Sequence, residues 1–520
     1  MTVYAEHLIA QHELNFGKVF SQQYVLSKEA SFAVTSFAPH TLQNGWVLHA
    51  GRGLQVALAT DGRAGISVAV LGLAVDANGF FIDTPHLKLL LDRAKSPGAL
   101  ADTLEMAAGR YIFVITAPDF NRVYLDPSAM IPAVYNRETG RVAATLYLAI
   151  DDAPVLEREY SLAENAGSGG GARLAFGYTP DARVRRVMAN HYFDLDAQQT
   201  VRHWPKADCG WRMEVTEHGI RERLDRVVQR HKQVMKPLIS RQSPSILPIT
   251  GGADSRLLLA FAKELWGDID LFCVHANNAN TRRDSGIAAQ LADIAGLDLV
   301  RYNLRKDKSL QKRPKLIRRV DISERIAEGM IGDPEPQGPL KILERLALPA
   351  GGVLIRGQVT DISKAVLWRQ IGINEFKRTQ GTEQSAKIGV QLLMLNDPPM
   401  TSDSFYLDYY DAWVRTIPTG ARCRALDLMG LEHFRSHGTG PLFTSFYHNF
   451  YMSPSCDRLI IENLSQIPPQ LRADFYVNDL LMEATAPELR DVEYTRAIDN
   501  EIRVRRAPLA EAIAQIKGPQ

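Results

Sequence analysis

From Ser245 onward the chain alternates between short apolar runs and helix-length segments: SILPI, TGGA, DSRLLLAFAKELW, LFCVHA, SGIAAQLADIAG, LDLVRYNL. Strands this apolar must be covered on both faces. With helices between them the pattern predicts a parallel sheet joined by right-handed crossovers. Sheets of this kind bind ligands outside the carboxyl ends of their strands. The loop that follows the first strand, opening at Thr250, is therefore where chemistry is expected.

The 520 residues exceed what one hydrophobic core usually organises, so two domains are expected, 1–205 and 206–520. Hydrophobic residues make up 45% and charged residues 23% of the chain, values that exclude a largely disordered or fibrous protein. The formal charge of +1 leaves no long-range field to collect nucleic acid or an anionic membrane, so neither is an expected partner. The start, MTVYAEHLIAQHELNFG, carries Glu6 and Glu13 and does not resemble a signal peptide, which predicts a cytoplasmic protein. Its most apolar segment, Ile66 to Val75, is about half of the ~20 residues a membrane helix requires and suits a strand. Cys209, Cys273, Cys423 and Cys456 show no C-x-x-C spacing, which points to structural thiols rather than a zinc site or disulfides.

Residues 1 to about 160 read as strands broken by turns: GWVLHAG, GLQVALAT, ISVAVLGLAV, RYIFVITA, RVYLD and VAATLYLAI. Helical periodicity enters at LKLLLDRA and ALADTLEMAA, so an α+β layer is expected. The run Gly167 to Gly171 reads as a loop and not as a phosphate cradle. A hinge through Pro205 leads to a helix over Ile220 to Met235, expected to end before Pro237. After residue 310 the pattern is mostly helical, with one further strand in GGVLIRG. No repeat of fixed period is present.

The segment ILPITGGADSRLLL sets Thr250, Gly251, Gly252, Asp254 and Ser255 between a strand and a helix. Glycine can adopt backbone angles closed to other residues and lets the chain approach a ligand, with its amides facing an anion. Two hydroxyls and the positive end of the helix aim at the same place, so a pyrophosphate fits. Arg256 could reach phosphate or simply sit on a solvated helix face. The chain has no G-x-x-x-x-G-K-[ST] sequence, which argues against γ-phosphoryl transfer of that type. The short [ST]-G-G-x-D-S loop resembles the PP-loop of the ATP pyrophosphatase superfamily, whose members cut ATP between the α and β phosphates. A chance match in a chain this long is on the order of one in a thousand.

A second segment, LIRGQVTDISKAVLW, places Gly357 and Asp361 after another apolar strand. Its G-x-x-x-D spacing is similar to the loop of asparagine synthetase-like amide ligases that faces the PP-loop. Asp254 and Asp361 are thereby the expected holders of Mg²⁺ on the phosphates of ATP, with helix capping the plainer role for Asp361. The family's acidic and glycine neighbours are replaced by Gln358, Val359, Thr360, Ile362 and Ser363. The resemblance extends to GRYIFVITAPDFNRVYLDPSAMIPAVYN, similar to the glutaminase domain of asparagine synthetase, and to PLFTSFYHNFYMSPSCDRLIIENLSQIPPQLR, similar to its helical part.

The resemblance implies a glutaminase-like domain of the N-terminal-nucleophile type over 1–205. It implies a PP-loop α/β domain with a parallel sheet and a helical C-terminal part over 206–520. It further implies an AMP-forming amide ligase related to asparagine synthetases, β-lactam synthetases and lasso-peptide cyclases. The family's amino-terminal cysteine is missing: residue 2 is Thr2, and no cysteine precedes Cys209. Thiolate attack on glutamine is unavailable, the first domain is expected to be a scaffold, and the amine is expected to come from a small molecule or peptide. An ammonia-dependent asparagine synthetase and a nucleotide-binding partner without catalysis are the alternatives. A homodimer is compatible with the sequence, which does not set the oligomeric state.

Several polar residues have two readings. His275, Asn277, Asn278 and Asn280 follow LFCVHA, where adenine or substrate would approach, or they are ordinary loop polarity. Asp284, beside Arg282 and Arg283, reads as a first-turn partner of the helix dipole. Arg496, Arg503, Arg505 and Arg506 form a late basic cluster that no motif resolves into a single catalytic residue, and solvated charge is its plain reading.

Overall fold

The structure, a computed structural model, describes residues 3–29, 32–157, 175–305, 314–329, 338–371, 386–393 and 404–516. The Gly167–Gly171 run and Thr2 lie outside them. Among the described residues twelve strands come first: β1 (Tyr24–Ser27), β2 (Ala38–Thr41), β3 (Val47–Ala50), β4 (Val56–Asp61), β5 (Ile66–Val75), β6 (Ala108–Ala117), β7 (Phe120–Leu125), β8 (Ala133–Asn136), β9 (Arg141–Ala143), β10 (Val184–Val187), β11 (His191–Asp194) and β12 (Gln199–Arg202). They form two antiparallel six-stranded sheets, ordered β10-β8-β9-β1-β3-β2 and β12-β11-β7-β6-β5-β4. One face of each sheet meets the other in a shared core containing Leu26, Leu48, Leu71, Ile112 and Leu125.

The outer faces are covered by helices. Ile9, Phe16 and Val19, from Tyr4–Gln11 and Phe16–Val19, pack over the first sheet. Leu87, Leu91, Leu100 and Leu104, from Thr84–Arg93 and Pro97–Leu104, pack over the second. Asp83 and Ser96 start this second pair of helices by accepting the backbone N–H groups of His86 and Ala99. Because β5 and β6 are covered on both faces, they read as unbroken apolar runs rather than alternating ones.

Two local expectations are corrected, and three strands lie where the sequence predicted none. VAATLYLAI is a strand only to Ala143, after which Leu146–Ala149 forms a helical turn. All four of its residues are buried beside Ile9 and Ile326, and that packing outweighs their strand propensity. Strands β10 to β12 were unread because VRRV, HYFD and QTVR are too polar to show a strand pattern. The helix expected to stop before Pro237 runs from Glu217 to Arg241. Val234, Met235, Leu238 and Ile239, on both sides of the proline, are buried in the largest core, and this burial offsets the missing backbone hydrogen bond.

The third sheet is wholly parallel and contains β13 (Ser245–Pro248), β14 (Leu271–His275), β15 (Leu299–Tyr302), β16 (Val353–Ile355) and β17 (Phe450–Met452). Its order is β15-β14-β13-β16-β17. The chain thus builds outward from β13 to β14 and β15 on one side, and returns to add β16 and β17 on the other. This makes the β13/β16 boundary the switch point, where a crevice opens at the strands' carboxyl ends. Strand β17 falls within the stretch expected to be helical, although Arg458–Gln466 directly afterwards is a helix.

The parallel sheet and the helices around it share one core with Leu73, Val75 and Ala108 of the antiparallel part. Charged groups are buried where the two parts meet. Arg110 donates to the Met130 and Tyr451 carbonyls at 2.9 and 3.2 Å, and Arg230 pairs with Asp457 at 2.6 Å. Cys273 and Cys456 are buried, Cys209 and Cys423 only partly so, and all four are free thiols. No helix among the described residues is long and apolar enough to cross a membrane.

Candidate functional site

Strand β13 ends at Pro248, and the chain turns through Thr250–Gly252 into the helix Ala253–Phe261. The helix forms because Leu257, Leu258 and Phe261 are buried in the core, and Gly252 caps it with extended backbone. Glycine has no side chain to cap with, so the first-turn amides receive no side-chain acceptor. The Thr250 and Ser255 hydroxyls face each other at 2.8 Å. Ser255 accepts the Thr250 N–H at 3.1 Å, and Thr250 Oγ1 accepts the Gly252 N–H at 3.2 Å.

The second predicted loop arrives from β16. Arg356 N–H donates to the Met452 carbonyl at 2.8 Å, fixing the loop to β17. A Cβ built on Gly357 would lie 2.7 Å from Asp254 Cβ, so a glycine is what allows the two loops to touch. Thr250, Gly252, Asp254, Ser255 and Gly357 line one cavity of about 220 Å³ together with Arg356. That is below the roughly 300–1,000 Å³ of most ligand pockets, and it matches a phosphate group better than a whole nucleotide.

Two residues expected at the ligand lie behind it instead. Gly251 is buried, and a Cβ there would sit 2.0 Å from Thr495 Oγ1 and 3.0 Å from Ile287. Its role is close packing, and neither Gly251 nor Gly252 uses a positive φ. Arg256 is fully buried and donates to the Val492 and Glu493 carbonyls at 2.5 and 2.7 Å, its guanidinium 4.1 Å from the Tyr494 ring. Burial pushes its pKa down to about 10. Neither the phosphate contact nor the solvated position holds for Arg256: it clamps 492–494 to the back of the turn. Thr495 completes this support, donating its N–H to the Gly251 carbonyl at 2.9 Å and its hydroxyl to Asp284. Asp284 is therefore tied to the turn rather than serving only the helix dipole.

Asp254 and Asp361 do not share a cavity. Asp361 sits in the 3₁₀ turn Thr360–Lys364 and borders a smaller cleft with Leu426, Leu431 and Arg435. Arg435 pairs with Asp361 at 2.5 Å. Lys364 Nζ donates to Asp254 Oδ2 at 2.8 Å and lies 2.7 Å from Oδ1, a buried oxygen without a hydrogen-bond partner. Each carboxylate expected to hold Mg²⁺ is thus held by a cation of the chain. Among the described residues no group of three or more His, Cys, Asp or Glu could hold a metal ion.

The turn bearing Lys364 has left-handed residues at both ends, Val359 at φ +74° and Ala365 at φ +47°. A β-branched residue at such an angle is strained, at a cost of about 1–3 kcal/mol. Hydrogen bonds hold the strain in place: the Thr360 hydroxyl to the Gly357 carbonyl, the Ser363 hydroxyl to the Thr360 carbonyl at 2.6 Å, and Arg472 to the Ile362 carbonyl at 2.7 Å.

Of the other polar candidates, Asn277 and Asn278 are structural. Asn278 and Thr281 form a reciprocal cap on the helix Ala279–Ala295. Asn277 accepts the Leu304 N–H at 2.8 Å and donates to Glu344 at 2.7 Å. His275 lies beside Tyr302, and burial lowers its pKa. Arg503 and Arg506 both pair with Asp479, lining a wide groove of about 790 Å³ among the late helices. Arg505 is 79% exposed, and Arg496 precedes the helix Ala497–Arg505. That groove is larger than the cavity at the turn, but its charges pair with one another and it shares no lining residue with that cavity.

Sequence reasoning missed Lys364, Arg435 and Thr495. Lys364 follows Asp361 by one helical turn, a signal available in DISK, whereas Arg435 and Thr495 reach the site only through tertiary packing. No protein-family model and no curated protein matches the chain.

Proposed function

We propose that the chain is an ATP-dependent, AMP-forming amide ligase that activates a carboxylate and passes it to an amine without hydrolysing glutamine. The observation that carries the reading is the meeting of the Thr250–Ser255 turn with the Gly357 loop, at the switch point of a parallel sheet and over an uncapped helix start. Hydroxyls, free amides and a helix dipole at one place favour a phosphate. The left-handed angle at Val359 adds support, since a glycine would adopt it without strain, as expected of a loop related to the glycine-bearing one of asparagine synthetases. The two helix-covered antiparallel sheets suit a glutaminase-like domain over 1–205 that serves as a scaffold, ahead of the ATP-binding domain over 206–520.

In this reading a carboxylate oxygen of the substrate attacks the α-phosphorus. The new O–P bond forms as the bond from Pα to the bridging oxygen breaks, and pyrophosphate leaves with that electron pair. The amine then attacks the acyl carbon, AMP departs with the C–O electrons, and the amine nitrogen loses a proton. The turn's contribution is to hold the departing phosphates in line, which is positioning and electrostatic work. A divalent ion held between Asp254 and Asp361 does not fit the arrangement, because the two carboxylates line different cavities and each stands beside a cation of the chain, Lys364 and Arg435.

Incubation with ATP and a panel of carboxylic acids and amines tests the reading. AMP and pyrophosphate are expected, and strongly reduced by the double variant Thr250→Ala/Ser255→Ala with the fold intact. ADP as the sole product, or equal AMP formation by that double variant, overturns it. A second reading, a nucleotide-binding partner without catalysis, is favoured by one observation: the Thr250 and Ser255 hydroxyls already satisfy each other. It predicts nucleotide binding with no turnover in either protein.

A further inference from the structure

The donor set at the turn does not suit a divalent ion, and this mismatch has a specific cause. Asp254 stands on the first turn of the helix that faces the cavity; Lys364 Nζ, just behind the cavity lining, donates to Asp254 Oδ2 at 2.8 Å and lies 2.7 Å from Oδ1, which has no hydrogen-bond partner of its own. The lysine side chain is only 13% exposed, so it is not a loosely solvated charge that a metal ion could displace without cost. Its position is prepared by the strained turn between Val359 and Ala365, which Arg472 grips from behind and Arg435 anchors through Asp361. Such a turn persists only where the surroundings over-determine it, and here its outcome is to deliver an ammonium to Asp254. A lysine is a compact point charge that binds phosphate well, and its flexible stem lets it move between carboxylate and ligand.

We infer that Lys364 is a built-in phosphate-binding cation that takes the place of a divalent ion at the Thr250–Ser255 turn. Without ligand it neutralises Asp254, which would otherwise repel an anion at the helix start. When the phosphates enter it donates to them while remaining next to Asp254. Arg356, exposed on the rim of the same cavity, adds a second positive charge. The inference rests on the proposal that the turn binds pyrophosphate.

The test is calorimetric titration of inorganic pyrophosphate into the full chain, in EDTA and then with excess Mg²⁺. The inference predicts binding in EDTA within about twofold of that in Mg²⁺, and at least tenfold weaker binding in EDTA for Lys364→Met. Adding Mg²⁺ should restore binding to Lys364→Met, because Asp254 is then free to hold a metal. Lys364→Arg should keep binding in EDTA. Binding by the wild-type chain only when Mg²⁺ is present overturns the inference and leaves the ligase reading intact, and this comparison needs no variant to fold. Undiminished binding of Lys364→Met in EDTA also overturns it. No pyrophosphate binding under either condition removes the ligase reading itself, and the inference with it.

Discussion

Gly357→Ala probes the contact on which the site is built. The added methyl carbon would lie 2.7 Å from Asp254 Cβ and 3.2 and 3.3 Å from the Asp254 backbone carbon and oxygen. Carbon atoms rest at about 3.5–4.0 Å, so the two loops must part by close to an ångström. Neither can yield by rotating a side chain, because Asp254 lies in the first turn of a helix whose apolar face is buried and Gly357 is two residues past the end of β16. Overpacking of this kind costs about 1–3 kcal/mol. Gly357 is not among the positive-φ glycines, so alanine adds no backbone strain and the whole effect is steric. Gly286→Ala is the matched control: it lies within the helix Ala279–Ala295, a Cβ there meets nothing within 4 Å, and it should stabilise by about 0.5–1 kcal/mol. Urea midpoints at constant slope give the comparison, with pyrophosphate affinity read in parallel. The reasoning is refuted if Gly357→Ala melts within about 0.3 kcal/mol of the wild type and binds pyrophosphate equally well, since the loops would then have room to spare.

Three further outcomes follow from the same geometry. Arg256→Met leaves the Val492 and Glu493 carbonyls unpaired and should destabilise by about 2–4 kcal/mol in urea unfolding; a phosphate-contacting arginine would instead lose ligand binding at an unchanged midpoint. Burial keeps His191, His231 and His433 neutral by pushing their pKa values down to about 4, about 4 and about 3. The unfolded chain takes up these protons near pH 6.5 and the fold does not, so stability present above that pH should fall toward pH 4 by up to about 1.4 kcal/mol per unit for each group; flat stability from pH 7 to 5 contradicts this. Ala365→Gly, at a buried position with φ +47°, should stabilise by about 0.5–1 kcal/mol through relief of the left-handed angle, and a loss of stability would mean that the angle is not strained.

The parallel sheet was legible because β13, β14 and β15 are apolar runs separated by helices, and the turn after β13 because its residue types are rare in that order. The long strands β5 and β6 showed themselves by unbroken apolar character. What escaped the sequence depended on distant contacts. Strands β10 to β12 are polar and exist by pairing: β10 with β8, β11 with β7, and β12 with β11. Pro237 is tolerated because the residues around it are buried, a fact that no local pattern records. Within the site, Thr250, Gly252, Asp254, Ser255 and Gly357 come together at one cavity whose Arg356 carried no sequence signal, and Gly251 and Arg256 proved to be its support. Their roles are set by Thr495 and Tyr494, more than 230 residues away in the chain. Lys364 was overlooked because a lysine on a short turn reads as solvated charge until its partner is known.

Hydrogen–deuterium exchange with and without ATP tests the central claim most directly, because it reports where on the chain the nucleotide rests. Slowed exchange is expected in peptides covering 250–256 and 356–364, with no change in the groove around Asp479 and Arg503. Protection confined to that groove, with the Thr250–Ser255 turn exchanging as freely as before, would contradict it.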